Sequence, residues 1–426
     1  MPVLSNLPVF ILILLSNQFN LYSTMEAMRK FITTIAIILF PFALSAQIDP
    51  LVQLIREGKS NFGAWAQDPE HYEIQVIYTQ VDRDEQGKPK FRTYTYGLQE
   101  GSYFYPASTV KMPAALLALE KLNELRILGL DKWTPMRTGA VSPPQTPVMV
   151  DSTAEQLLPS VAHYVRKIFL VSDNDAYNRL YEFLGQEYAN RKLQEKGYTD
   201  TRLLHRLSAP EFDTVSNRYT NPVSFYRFDT LFYHQGEVHS RAEHQLKLAN
   251  ELRGRGYVNT ADSMVYEPFD FRQKNYFSLQ SLHDILKAVI FPEMVAPEKR
   301  FNLSESDYAF VRQSMCRLPR ESRYPDYSGK SDNYVKFWIY GDQGDDVTIP
   351  ESIRIYNKVG WAYGFLTDVA YIRDEEKGIE FFLAGNIHVN ENQIYNDGEY
   401  EYEEIGLPFF GELGRAVYEY EQARRR

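Results

Sequence analysis

Strand-like segments lie near both ends of this 426-residue chain, and helical segments lie between them. The N-terminal segment reads HYEIQVIYTQVDRDEQGKPKFRTYTYGLQ, whose alternating apolar and polar residues flank a Glu-Gln-Gly-Lys turn and predict a β-hairpin. Towards the C-terminus, three more strands are predicted in SIRIYNKVG, GFLTDVAYIRD and GIEFFLAGNIHV, followed by a closing helix in ELGRAVYEYEQARRR. We therefore predict an α+β fold in which one antiparallel sheet is built from both chain ends and covered by helices.

The middle of the chain is mainly helical in pattern. A short helix is expected in PLVQLIREG, residues 154–205 carry helical periodicity, and SLQSLHDILKAVIF predicts one more helix. Residues 206–277 are mixed, with several prolines and the strand-like NPVSFYRFDTLFY. The polar HSRAEH at 239–244 is interpreted as a solvated helix face.

The first 46 residues have the pattern of a targeting sequence. From Met28, MRKFITTIAIILFPFALSAQ supplies basic residues, an apolar run and small residues in the order of a secretory signal peptide. We expect cleavage near Ala46–Gln47, a single domain over 47–426, and a periplasmic or secreted location. Residues 1–24 carry another short apolar run and indicate an over-long start assignment. Neither run is long enough for a permanent membrane helix, so no stable membrane span is expected.

Composition excludes several classes of function. A net charge of -10 argues against a nucleic-acid partner, which would require a basic face. Cys316 is the only cysteine, so no internal disulfide is possible, and we expect this residue to be a buried small hydrophobe. The eight histidines show no metal-ligand spacing, and no glycine-rich loop could hold a phosphate. The sequence therefore implies neither a metal nor a cofactor.

The stretch YPASTVKMPAALLALEKL carries the first candidate for chemistry. Its apolar residues recur at three- and four-residue spacing and predict an amphipathic helix with Ser108 in the first turn. Lys111 follows three residues later and shares a face with Ser108. Taken alone, this pair is more simply interpreted as a helix cap and a solvated lysine.

Two further elements follow in chain order. The first is Ser172–Asp173–Asn174, which joins two apolar helical runs in LVSDNDAYNRLYEFLG. The same tripeptide recurs at Ser331–Asp332–Asn333, where the turn-rich surroundings indicate an ordinary loop. The second is Lys358–Val359–Gly360, at the end of a predicted strand.

In this order the three elements resemble the serine β-lactamase and penicillin-binding protein superfamily, and most of all its class A branch. The resemblance extends over whole helices, PASTVKMPAALLALEKL and LVSDNDAYNRLYEFLG, and over the strand pair KVGWAYGFLTDVAYI and GIEFFLAGNI. It spans roughly residues 50–205 and 278–426. It implies a β-lactamase-like fold with a largely helical second lobe beside the sheet.

The resemblance also implies catalytic roles. Ser108 would be the nucleophile, and Lys111 would take its proton once burial and the cation Lys358 lower the pKa of the Lys111 ammonium. Ser172 would pass a proton between Lys111 and the leaving nitrogen. Asp173 would brace the loop from its buried side.

Substrate binding is implied at Asn174, Lys358, Gly360 and Trp361. Asn174 would bind the side-chain amide of the substrate, and Lys358 would hold its carboxylate. The backbone N–H groups of Ser108 and Trp361 would form the oxyanion hole.

The chain departs from the family pattern in two places. Val359 replaces the usual hydroxyl residue between the lysine and the glycine, which removes one hydrogen bond to a substrate carboxylate. The E-x-x-L-N string that carries the deacylating glutamate of class A enzymes is absent; RLSAPEFDTVSN offers Glu211, followed by Asn217 at the wrong spacing. Residues 206–277 are therefore interpreted as an enlarged loop or insertion, with Glu211 as the candidate base for deacylation.

The function expected from the sequence is an exported, monomeric serine hydrolase that opens β-lactams through an acyl-enzyme on Ser108. Its partner would be a small-molecule β-lactam or a peptidoglycan stem peptide. Two alternatives remain open at this point. The chain could be a D,D-peptidase or another amidase or esterase of the same superfamily, or a sensor module that is acylated without turnover.

Overall fold

The computed structural model describes residues 49–424 and contains eight α-helices and 17 β-strands in that range. The helices are α1 (Pro50–Gly58), α2 (Lys111–Leu125), α3 (Val161–Val171), α4 (Asn174–Leu184), α5 (Gln186–Glu195), α6 (Leu279–Ile290), α7 (Glu305–Cys316) and α8 (Leu407–Ala423). The strands are β1 (Gln75–Arg83), β2 (Pro89–Tyr96), β3 (Met136–Thr138), β4 (Thr201–Arg202), β5 (Tyr219–Thr220), β6 (Val223–Arg227), β7 (Thr230–Gln235), β8 (Val238–His239), β9 (Leu252–Arg253), β10 (Gly256–Val258), β11 (Met264–Val265), β12 (Phe269–Asp270), β13 (Tyr276–Phe277), β14 (Ile353–Ala362), β15 (Phe365–Asp374), β16 (Ile379–His388) and β17 (Ile394–Tyr395).

The main sheet has five strands in the order β14-β15-β16-β1-β2, and every neighbouring pair is antiparallel. The C-terminal strand β16 pairs with the N-terminal strand β1, with Tyr78 opposite Leu383. This pairing joins strands from the N-terminal and C-terminal parts of the chain in one sheet. The predicted α+β fold, with an antiparallel sheet built from both ends, is confirmed.

Helices cover both faces of this sheet. Because strand side chains alternate between faces, Ile77 packs in one core with α6 while its neighbours Val76 and Tyr78 pack in a second core with α1 and α8. The first core continues into the helices α2, α3 and α4, which form the helical lobe. Thus one sheet edge and the helical lobe meet where β14 lies beside the start of α2.

Residues 206–277 contain no α-helix and are built from short strands and turns. The strand-like segment folds into the hairpin β6–β7, whereas β10 pairs in parallel with β17 from the far end of the chain. The helix face predicted at 239–244 is wrong, because His239 ends β8 and residues 240–248 have no regular secondary structure. Half-buried Ala242, His244, Leu246 and Leu248 alternate there with exposed residues, which is the two-residue period of an extended chain.

Helix α7 was not predicted, although its first turn carries a recognisable signal. Ser304 accepts a hydrogen bond from the Asp307 backbone N–H, and the Asp307 carboxylate accepts one from the Ser304 backbone N–H. This reciprocal capping box satisfies two backbone donors at the helix start. Cys316, at the other end of α7, is half-buried rather than buried, and burial raises the pKa of its thiol.

The predicted signal peptide and its cleavage near Ala46–Gln47 lie outside the described residues. Within residues 49–424, no helix has both the length and the apolar character needed to cross a bilayer.

Candidate active site

Ser108 lies in a short 3₁₀ turn, Ala107–Val110, directly before α2 begins at Lys111. The serine therefore belongs to this turn and not to the first turn of the α-helix. Ala107, the residue before it, has a φ of 45°, in the left-handed region that residues with a Cβ atom rarely adopt. Such backbone conformations cost about 1–3 kcal/mol and collect at functional sites, where the surrounding structure imposes them.

Strand β14 passes this turn at very close range, and Gly360 makes the approach possible. A Cβ atom placed on Gly360 would lie 2.6 Å from the Pro106 carbonyl oxygen and 2.8 Å from the Ser108 nitrogen. Any side chain at this position would push the strand away from the nucleophile's backbone. The glycine lies within β14 and not in a turn, so its role is close packing.

Two lysines converge on Ser172. The Lys111 ammonium donates to the Ser172 carbonyl, lies 3.3 Å from the Ser172 Oγ, and donates to the Asn174 Oδ1 at 2.6 Å. The Lys358 ammonium donates to the same Ser172 Oγ at 2.8 Å and to the Val359 carbonyl oxygen at 2.7 Å. The structure thus brings together four of the predicted side chains: Lys111, Ser172, Asn174 and Lys358.

Both ammonium groups are buried, and none of the carboxylates described forms an ion pair with either. Desolvation lowers the pKa of Lys111 to about 7, with Asp173 partly opposing this effect. Desolvation also lowers the pKa of Lys358 well below its usual value, and the positive charge of Lys111 adds to this. A lysine with a pKa near neutrality can accept a proton, which an exposed lysine cannot do at pH 7.

The backbone around Ser172 sets the position of its hydroxyl. Ser172 ends α3 with a φ of 57°, and Asp173 starts α4 by accepting a hydrogen bond from the Ala176 backbone N–H at 2.8 Å. The other Asp173 oxygen lies 3.4 Å from the Lys167 ammonium, which also pairs with Asp151 at 2.9 Å. These contacts fix the junction between α3 and α4, in agreement with a bracing role for Asp173.

Ser208 is a site residue that the sequence analysis did not identify. The Asn174 Nδ2 donates to the Ser208 Oγ at 2.8 Å, so a hydroxyl lies on the side of Asn174 that faces away from Lys111. Ser208 has a φ of 49°, which shows that an unusual turn directs it there. No sequence motif indicates such a contact.

Glu211 does not join this cluster. It is exposed and makes no hydrogen bond or ion pair with the described residues. Asn217 is buried, but it supports the loop: its Oδ1 accepts from the Arg206 backbone N–H at 2.9 Å, and its Nδ2 donates to the Asp213 carbonyl oxygen. Trp361 is 38% exposed, and its ring contacts Phe337.

The Ser108 hydroxyl forms no hydrogen bond with the residues described, and the Lys111 ammonium is bonded to Ser172 and Asn174 instead. In a free enzyme such a nucleophile–base contact is often absent and forms only with substrate. A large cavity of about 1030 Å³ borders the cluster through Ser208 and extends along residues 206–277. In residues 49–424, no group of three or more His, Cys, Asp or Glu side chains is arranged to hold a metal ion.

Comparison with known protein structures gives β-lactamases of low sequence identity. The chain is similar to a β-lactamase from Burkholderia vietnamiensis (12% identity, 88% of this chain and 98% of that chain, TM-score 0.48). It is also similar to one from Burkholderia ambifaria (12%, 88% and 100%, 0.45) and one from Streptomyces albus G (12%, 87% and 97%, 0.45). No curated protein matches the chain in sequence.

A family model gives a stronger result. The model described as "Beta-lactamase enzyme family" matches residues 66–305, which is more than half of the chain. This range contains Ser108, Lys111, Ser172 and Asn174 but ends before β14, so only the geometry links Lys358 to the other residues. The chain belongs to the β-lactamase enzyme family.

Proposed function

We propose that this protein is a serine hydrolase that opens the cyclic amide of β-lactams through an acyl-enzyme on Ser108. The observation that carries the proposal is the cluster in which the Lys111 and Lys358 ammonium groups share the hydroxyl of Ser172 beside the start of α2. Two buried lysines held by neutral partners are costly for stability, and such arrangements are typical of sites that need a lysine as a base.

In the proposed first step, neutral Lys111 takes the proton of the Ser108 hydroxyl while the Oγ forms a bond to the amide carbonyl carbon. The negative oxygen that develops is stabilised by the backbone N–H groups of Ser108 and Trp361. The C–N bond then breaks, and the nitrogen takes the Ser172 hydroxyl proton. Lys111, now an ammonium, returns a proton to Ser172 across the 3.3 Å that separates them. The products of this step are an ester on Ser108 and a neutral amine.

Lys358 and Asn174 hold the substrate in this scheme. A substrate carboxylate beside Lys358 would raise the lowered pKa of this lysine and favour its ammonium form, which then holds the carboxylate. The Asn174 amide is shared between Lys111 and Ser208 until a substrate amide replaces one contact. Val359 has no hydroxyl that could donate a hydrogen bond to the substrate carboxylate. Among the two residues Lys358 and Val359, only the lysine charge can therefore hold this carboxylate. We expect weaker binding than a serine or threonine at this position would give, by about 1 kcal/mol for one hydrogen bond.

A second candidate is a penicillin-binding peptidase or sensor in which the ester persists. A specific observation favours it: Asn174 faces the hydroxyl of Ser208 rather than a carboxylate, and Glu211 is exposed and has no partner among residues 49–424. A hydroxyl cannot activate water as a carboxylate does at pH 7. Export to the periplasm, a monomeric state and kinship to class A enzymes remain parts of the proposal that rest on the sequence.

Two measurements on the same sample test the proposal. Hydrolysis of a chromogenic cephalosporin reports turnover, and intact mass spectrometry reports the adduct on Ser108. Turnover supports the first candidate, whereas a stoichiometric adduct without turnover supports the second. Ser108→Ala should abolish the adduct, and Ser331→Ala, in the other Ser-Asp-Asn, should label like wild type. An adduct on the Ser108→Ala protein would refute the assignment of the nucleophile.

A further inference from the structure

The cavity next to the active site is built mainly by residues 206–277. Ser208 lies in its wall and accepts the hydrogen bond from Asn174, so the cavity begins where the catalytic cluster ends. Tyr105, three residues before Ser108, and Tyr363, two residues after Trp361, complete the wall on the side of the nucleophile. A substrate held at Asn174 can therefore extend into this cavity on its acyl side.

Aromatic rings form a continuous surface on that side. The rings of Tyr105 and Tyr363 meet edge to face at a centroid distance of 5.0 Å, and Phe269 lies 5.3 Å from Tyr363. Such a surface favours an extended group with apolar or planar parts. The volume of about 1030 Å³ is at the upper end for a small-molecule pocket, so the group can be as large as a short peptide.

Four basic residues line the cavity, and three of them are already paired with carboxylates. The pairs are Arg206 with Glu182 at 3.0 Å, Arg218 with Glu243 at 2.7 Å, and Arg272 with Asp270 at 2.7 Å. Each of these three guanidinium groups therefore already has a carboxylate partner, which Arg206 shares with Arg179. Only the fourth cation of this lining, Lys274, is available to a ligand.

The Lys274 ammonium makes no hydrogen bond or ion pair with any residue described. It lies 5.6 Å from the ring centroid of Phe269 and 5.7 Å from that of Tyr363. The side chain is half-buried, and its backbone carbonyl oxygen accepts from the Arg202 Nε at 2.9 Å, which fixes the main chain. A positioned cation that has lost part of its hydration attracts an anion more strongly than a fully exposed lysine does.

None of the carboxylates that line the cavity forms an ion pair with Lys274. Asp270 pairs with Arg272, and Asp213 accepts hydrogen bonds from Ser216. Asp262 and Glu267 are exposed, where water screens their charge. Lys274 is thus the one Lys or Arg side chain of the cavity lining that has no carboxylate partner among the described residues.

We propose that the cavity is a subsite for the acyl side chain of the substrate and that Lys274 binds a carboxylate at the far end of that chain. The inference rests on the proposed function, because it needs a substrate acylating Ser108. The substrate class it names is a β-lactam or peptide whose extended acyl group passes the aromatic surface and ends in a carboxylate.

The test uses two β-lactams with the same nucleus and the same acyl chain, one ending in a carboxylate and the other in the carboxamide. Rates of Ser108 acylation are measured by stopped flow and intact mass spectrometry. Wild type should prefer the carboxylate by about tenfold, the effect of one hydrogen bond to a charged group. Lys274→Met should remove this preference by slowing only the carboxylate compound, and Lys274→Arg should retain it.

Lys287→Met is the matched control, since Lys287 also lies over an aromatic ring, 4.0 Å from the centroid of Phe91, but on α6 and outside the cavity lining. It should preserve the preference. Equal rates for both compounds in wild type, or an unchanged preference in folded Lys274→Met, would overturn the inference while leaving the acyl-enzyme intact. Failure of both compounds to label Ser108 would instead refute the proposed function, and the subsite with it. Thermal melting shows whether Lys274→Met has folded. If it has not, Lys274→Gln is used in its place.

Discussion

Two regions of this molecule combine the tripeptide Ser-Asp-Asn with a buried lysine, and they use the combination differently. At Ser172–Asp173–Asn174 the serine hydroxyl and the asparagine amide contact Lys111, and neither makes a hydrogen bond to a backbone carbonyl among the described residues. At Ser331–Asp332–Asn333 the Asn333 amide donates to two backbone carbonyl oxygens. The Asp332 carboxylate accepts from the Ile349 backbone N–H and pairs with Arg320. The first region keeps side chains available for a ligand, and the second uses them to hold a loop.

Lys336, the buried lysine three residues after Asn333, shows the same contrast in its partners. The Lys336 ammonium donates to the Met315 and Ile355 carbonyl oxygens at 2.7 and 2.9 Å and to the Asn357 Oδ1 at 2.6 Å. The Asn357 Nδ2 in turn donates to the Asp368 carboxylate at 2.8 Å. Burial lowers the pKa of Lys336 below its usual value and raises that of Asp368 above its usual value. A lysine whose three donors and counter-charge are all supplied by the fold is a structural element.

The comparison predicts its largest effect at Lys111. Lys111→Met should slow acylation of Ser108 by about 10²–10⁴, the usual loss for a general base, while the protein stays folded. Methionine nearly matches the length of lysine and removes a buried charge that has no ion-pair partner among the described residues, which offsets the loss of the hydrogen bonds to Ser172 and Asn174. Stability should therefore fall by less than in Lys336→Met. Stopped-flow acylation and thermal melting measure the two quantities. A folded variant that is acylated at the wild-type rate would show that another group takes the proton.

At Lys336 the same substitution should act on stability. Lys336→Met leaves two backbone carbonyl oxygens and the Asn357 Oδ1 without their buried donor, and each buried polar group left unsatisfied costs about 1–3 kcal/mol. Urea unfolding of this variant beside Lys111→Met gives a direct comparison. The folded fraction should still be acylated. A free energy of unfolding within about 0.5 kcal/mol of wild type, as for a surface change, would contradict the structural role.

The two asparagines should differ in the same way but by less. The Asn333 Nδ2 donates to the Tyr340 and Gln343 carbonyl oxygens, at 2.9 and 2.8 Å. Asn333→Ala leaves both oxygens without their donor and should cost about 2 kcal/mol of stability, with normal acylation. Asn174→Ala should slow acylation and cost less stability, because Ser208 is exposed and Lys111 keeps its contacts with Ser172. Urea unfolding measures the stability of both variants, and stopped flow measures their acylation rates. Slower acylation in Asn333→Ala together with the larger loss of stability in Asn174→Ala would contradict the roles given to these asparagines.

The pH dependence of acylation tests the low pKa of Lys111. Lys111 accepts a proton only when neutral, and its pKa of about 7 means that the neutral fraction rises with pH through this value. Acylation should therefore increase roughly tenfold between pH 6 and pH 8 and then level off. In the Lys111→Met protein the residual rate should lose this dependence. A wild-type profile that is flat over this range would mean that Lys111 is not the base.

Much of the sheet and part of the site follow from local patterns in the sequence. The alternation along the N-terminal hairpin and the short, largely apolar runs of β15 and β16 between turns identify strands near both chain ends. The three-residue spacing of Ser108 and Lys111 puts them one turn apart. The Lys358 ammonium contacts the Ser172 hydroxyl, although the two residues are 186 positions apart in the chain. Only the family resemblance predicts that both residues belong to one site.

The region 206–277 could not be predicted in the same way. Its short strands pair with distant partners, as when Gly256 in β10 lies opposite Ile394 in β17, and so carry little periodicity of their own. Ser208 contacts Asn174 through an unusual backbone turn, which no side-chain pattern indicates. Lys274 is distinguished only by the fact that the other cations in the cavity lining are paired, a property of the folded molecule.

The smallest effect is expected at Glu211, and it bears on turnover. If Glu211 activated the deacylating water, Glu211→Gln would slow deacylation by about 10²–10⁴. An exposed carboxylate that no other described residue holds in place is not positioned for this, so we expect no measurable change in acylation or in adduct lifetime. Ser208→Glu is the informative counterpart, because it puts a carboxylate where Asn174 can donate to it. Faster adduct decay in Ser208→Glu, followed by intact mass spectrometry, would show that the native site lacks a water-activating base and favour the peptidase or sensor function. A slower decay in Glu211→Gln would instead return Glu211 to the mechanism, through a loop movement that brings it to the ester.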